Sequence, residues 1–144
     1  MAESIILHFC GPRQSDAEQA MEKLGTRLGP YAGEWCFAYP PASEEGGHAV
    51  LVYAYPDILE EYEPENLKQL IVELGGVPTA SVAVELRRSR GAEAADAAAA
   101  VVRELLRRLG GIVDDTYSQF WHLAEIEAGV SKQDGRFLDC YKYT

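Results

Sequence analysis

Two stretches of this chain follow one pattern: a short apolar, β-branched run, an amphipathic segment at helical spacing, then a glycine stop. In the first, Ser4–Phe9 reads as a buried strand ended by Gly11-Pro12. Ala17, Met21, Leu24 and Leu28 then recur at 3.6-type spacing until Gly29-Pro30. In the second, Val82, Val84 and Leu86 alternate through Ser81–Leu86, and Ala98, Val101, Leu105 and Leu109 lead to Gly110-Gly111. A strand and a one-faced helix each need a second layer to bury their apolar side. Two such units side by side therefore point to helices layered on a sheet. The expected fold class is α+β: a two-layer sandwich of β-α-β-β repeated around a linking helix, with a mixed or antiparallel sheet and helices on one face.

The expected boundaries follow from caps and breakers. Ser15 and Glu18 fit a capping box opening a helix over about 16–28. Strands are expected around Glu34–Tyr39 and His48–Tyr55, punctuated by Pro40-Pro41 and Gly46-Gly47. Pro64 suits a first helical turn, with Leu67, Leu70, Ile71 and Leu74 as the apolar stripe and Gly75-Gly76 as the stop. A helix over 93–109, a strand from Ile112-Val113, a short helix His122–Ala128 ended by Gly129, and a last strand over 136–142 complete the pattern. At 144 residues this is a single α+β domain, 1–144. Within it, units 1–56 and 79–144 are joined by an acidic linker and helix, 57–76. The likeness of SIILHF to SVAVEL suggests a repeat, although shared strand–helix rules alone would give as much.

Charge narrows the function. Thirteen Lys and Arg against twenty-three Asp and Glu leave a net charge of −10, the wrong sign for a nucleic-acid binder. No apolar run nears the roughly 20 residues of a membrane span. The start, MAESIILHF, carries Glu3 and no basic segment, so no signal peptide is read. Cys10, Cys36 and Cys140 are odd in number and widely spaced, which fits a reduced, cytoplasmic setting and small, partly buried apolar residues. His8 and Cys10 would share one side of a strand, but no further ligand spacing supports a metal there. No metal or cofactor is expected.

No Walker loop, GxGxxG, GxSxG or HExxH occurs, so no enzyme is expected. His8, His48 and His122 stand alone in sequence and read as structural or surface residues. Asp114-Asp115 ends a strand just before Phe120-Trp121. The pair could grip a cation or guanidinium, yet neighbours on a strand face opposite ways, and turn or cap chemistry explains it as well. The acidic segment is denser: Asp57, Glu60, Glu61, Glu63 and Glu65 lie within 57–65, beside Tyr55 and Tyr62. Residues 1–72 hold four bases against twelve acids, residues 73–144 nine against eleven, so the negative field is concentrated in the first half. Such acids either keep the domain soluble or meet a basic partner, with tyrosines as rigid contact area.

The stretch from Leu105 through Gly110-Gly111-Ile112-Val113-Asp114-Asp115 to Phe120-Trp121 and Ala124-Glu125-Ile126 resembles small bacterial immunity proteins of polymorphic and type VI secretion toxin systems. The resemblance covers residues 93–128, about a quarter of the chain. It brings no functional residue with it, because such proteins share no catalytic motif. It implies a cytosolic, non-enzymatic protein that binds one cognate toxin with a basic cleft. The expected contact residues are Asp57, Glu60, Glu61, Glu63, Glu65, Tyr55 and Tyr62, with Asp114 and Asp115 as a secondary patch. The alternative is a small ligand-binding domain or enzyme with a pocket lined by Tyr and His. Homo-oligomerisation stays open.

Overall fold

The computed structural model describes residues 3–30, 33–41, 48–116, 119–133 and 135–142. Gly46-Gly47, placed above in a connection, lie outside the described residues. The protein is α+β, with one antiparallel sheet of seven strands. The strands are β1 (Glu3–Phe9), β2 (Thr26–Arg27), β3 (Cys36–Tyr39), β4 (Val50–Ala54), β5 (Ala80–Leu86), β6 (Ile112–Asp114) and β7 (Phe120–Trp121). Their order across the sheet is β2-β3-β4-β5-β1-β6-β7. The strands that open the two sequence units, β1 and β5, are thus central neighbours, with Ser4 opposite Glu85 and His8 opposite Ser81.

Alternation splits each strand between two environments. Ile5, Leu7, Phe9, Val50, Val52, Val82, Val84 and Val113 face the main core, under helices α1 (Gln14–Leu24) and α3 (Gly91–Leu109). Along α3, Ala94, Ala95, Ala98, Val101, Val102, Leu105 and Leu106 are all buried, a stripe two residues wide that repeats each turn. The short helices α4 (Leu123–Ala128) and α5 (Asp139–Lys142) also pack against α3.

The linking helix α2 (Pro64–Leu74) is the exception to helices on one face. The segment that enters it crosses the opposite face, where Ile6, Cys36, Tyr53 and Ala83 form a second cluster joined by Leu28, Leu51, Tyr55 and Ile58. Only Leu70 of α2 is fully buried. Pro64 holds the first turn and Gly75, left-handed at φ 83°, closes the last.

Two sequence expectations are corrected. The first helix starts at Gln14 rather than after Ser15: the Asp16 carboxylate accepts the Arg13 backbone N–H at 2.8 Å. It ends at Leu24 rather than 28, because Thr26-Arg27 pair as β2 with Ala38 and Phe37. Gly25 permits that approach, since a Cβ there would lie 2.4 Å from the Ala38 carbonyl oxygen. Leu28, counted above in the helical stripe, instead joins the cluster on the far face.

The expected last strand over 136–142 is a turn and α5. Phe137, Leu138 and Tyr141 are buried together, which needs helical rather than alternating spacing. The place beside β6 is taken by Phe120–Trp121, whose Trp121 pairs with Val113. No helix among the described residues is long and apolar enough to cross a membrane.

Candidate functional site

The far face of the sheet carries an unusual residue for a central strand. His8 is fully buried, 0% exposed, between β5 and β6. Its Nδ1 lies 2.8 Å from Ser81 Oγ and its Nε2 2.8 Å from the Tyr62 hydroxyl. That hydroxyl donates to Asp114 Oδ2 at 2.5 Å, and Asp114 Oδ1 accepts the Thr116 N–H at 2.8 Å. Every proton then has a place. Tyr62 donates to a carboxylate, so its oxygen accepts from His8 Nε2–H, and His8 Nδ1 accepts from Ser81.

Electrostatics agrees with a neutral imidazole. Burial pushes the His8 pKa down to about 4. Burial also raises the Tyr62 hydroxyl pKa, and its bond to Asp114 raises it further. Asp114 is held above the usual carboxylate range by burial, an effect opposed by the Tyr62 hydroxyl and the Thr116 amide and reinforced by Asp115. Ser81 is itself buried at 3% exposure, so the His8–Ser81 pair lies inside the fold. Both His8 ring nitrogens are occupied, which removes them from any site with Cys10; no cluster of three ligating side chains occurs among the described residues.

A cleft of about 340 Å³ opens beside this network. Ile6, Tyr62 and Asp114 form its floor, and Ile58, Glu61, Asn66 and Gln69 one wall. Thr116, Gln119 and Phe120 form the other. The turn Ile58–Glu61 is a 3-10 helix in which Glu60 and Glu61 are exposed, Glu61 at the cleft, while Ile58 packs on the sheet.

The expected contact residues separate into two groups. Asp57, Glu60, Glu61, Glu63 and Glu65 are all exposed. Tyr55 donates to Glu61 and stacks against Tyr53. Tyr62 turns inward into the network and lines the cleft, with Asp114. Asp115 is not brought together with them. It is 6% exposed and accepts the Trp121 indole N–H at 2.9 Å and the Gln119 amide at 3.1 Å, tying β6 to β7. Sequence reading took His8 as a structural or surface residue and did not single out Ser81; their register across two strands 73 residues apart leaves no local signal.

Several acids elsewhere are matched at close range. Glu18 and Glu22 share Arg27, Glu104 and Glu127 share Arg107, Glu125 meets Lys132, and Glu73 meets His122. Asp57, Glu60, Glu61, Glu63 and Glu65 form no ion pair among the described residues. Comparison with known proteins finds no matching family model, no matching curated sequence and no matching solved structure.

Proposed function

We propose that this protein is an immunity-type binding protein that neutralises a cognate bacterial toxin domain by covering a basic active-site cleft. The observation that carries this reading is the contrast in charge pairing. Acids on the helical side have cations within reach, whereas Asp57, Glu60, Glu61, Glu63 and Glu65 are exposed with no counter-ion among the described residues. Keeping like charges crowded and unpaired costs stability, and a partner of opposite sign recovers that cost while speeding encounter. Tyr62, pinned through His8 and Asp114, gives the surface a fixed anchor.

The test replaces Glu60, Glu61 and Glu63 by Lys and measures binding to the partner recovered with the parent chain by pull-down from its native cells. The association rate should fall by about tenfold or more, and its salt dependence should flatten. Unchanged rate and affinity with the fold intact would remove this surface from the interaction. The alternative, a small α+β ligand-binding domain, draws on the cleft beside Tyr62. A thermal-shift screen with nucleotides and metabolites separates the two, because a ligand specific to the folded state raises the midpoint.

A further inference from the structure

We infer that the cleft between the Ile58–Glu61 turn, α2 and the residues Thr116, Gln119 and Phe120 is a receptor for one arginine side chain of a basic partner. This rests on the reading above that the partner is a basic protein, and adds which of its groups enters and where. Three observations converge. Two carboxylates, Asp114 and Glu61, line a space that has no Lys or Arg among its described lining residues; Glu61 also accepts the Tyr55 hydroxyl. Ile6, Ile58 and Phe120 supply apolar surface against which methylenes and the flat faces of a guanidinium can lie. Asn66, Gln69 and Gln119 also line the cleft, and each carries an amide carbonyl able to accept from a guanidinium.

The floor is prepared in advance. Asp114 has one oxygen held by the Tyr62 hydroxyl and the other by the Thr116 amide, which fixes the carboxylate plane and leaves a further lone pair on each oxygen. Tyr62 is fixed in turn by His8, so the carboxylate loses little freedom when a cation arrives. Size narrows the occupant. About 340 Å³ is at the low end for small-molecule pockets, enough for a side chain and small for a nucleotide. A guanidinium suits scattered acceptors and apolar walls better than an ammonium, which is compact and strongly hydrated.

The experiment titrates the intact chain with L-argininamide and, separately, n-butylammonium, following backbone amides by NMR. Argininamide is expected to shift Ile6, Thr116 and Gln119 with a dissociation constant on the order of a millimolar, and n-butylammonium to bind several-fold more weakly. Gln69→Trp, at an exposed rim position, should fill the cleft and weaken argininamide by about tenfold; Asp114→Asn should do the same by removing the charge. Shifts spread over the acidic surface and unchanged in both variants would overturn the inference, as would equal binding of the two cations. The two readings fail separately. Partner binding that responds to Lys at 60, 61 and 63 but ignores Gln69→Trp sinks the arginine receptor alone. Partner binding indifferent to Lys at 60 and 63, with Glu61 kept because it lines the cleft, sinks the acidic surface alone.

Discussion

The two faces of the central sheet solve the same problem by different chemistry. Beneath α1 and α3, the inward residues of β1, β4 and β5 are aliphatic or aromatic and fully buried. On the opposite face the alternate residues of the same strands include His8 and Ser81, and what meets His8 is Tyr62, from the link between a 3-10 turn and a helix with a single fully buried residue. Apolar packing is non-directional and tolerates many arrangements of equal volume. A hydrogen-bonded chain is directional: Ser81, His8, Tyr62 and Asp114 meet in one geometry, and that geometry fixes where the acidic segment sits. One face supplies stability and the other supplies position.

The comparison breaks most visibly on the helical side. Leu105 is fully buried toward the C-terminal end of α3, and Leu105→Ala should cost about 4 kcal/mol by lost transfer energy and a residual cavity. Urea unfolding measures it. Argininamide binding to the folded fraction should be unchanged, because the substitution lies on the other side of the sheet.

The polar face has a pH signature. The imidazole titrates near 6.5 in the unfolded chain and near 4 in the folded protein. Between those values the unfolded chain holds a proton that the native state does not, so stability rises with pH across the window and is lost on acidification. The full difference is about 3 kcal/mol. His8→Gln should flatten the stability curve between pH 4 and 6.5 relative to the parent; parallel curves would mean that the imidazole is charged in the fold.

The smallest effect sharpens the comparison most. Tyr62→Phe removes one hydroxyl that serves both His8 and Asp114, and should cost about 1 to 2 kcal/mol. Its mark is local. Amide exchange should accelerate at Glu60 and Tyr62, whose N–H groups bond within the turn, and stay slow in α3. Uniform acceleration would show that this network holds the whole sheet rather than the segment laid across it.

Much of the architecture was legible locally. Pro64 and Gly75 mark the ends of α2, Gly110 ends α3, and the alternation of Val82, Val84 and Leu86 sets which way β5 faces. The misreadings share a cause. Leu28 and Tyr141 satisfy two periodicities at once, and which one applies depends on whether a sheet edge is free to receive the segment. The site was half legible: density of charge exposed the acidic segment, but nothing near Tyr62 in sequence reveals that its hydroxyl is committed inward.

By itself the sequence determined the α+β class, most strand and helix positions, and the concentration of negative charge in the first half, because periodicity, caps and charge are properties of neighbours along the chain. Tertiary structure decided strand order and register, and through them brought together Ser81, His8, Tyr62 and Asp114 from separations of 73, 54 and 52 residues. It also decided that Asp114 would line a cleft while Asp115 was spent on Trp121. Adjacent residues of a strand point to opposite faces, and only the packed sheet says what waits on each.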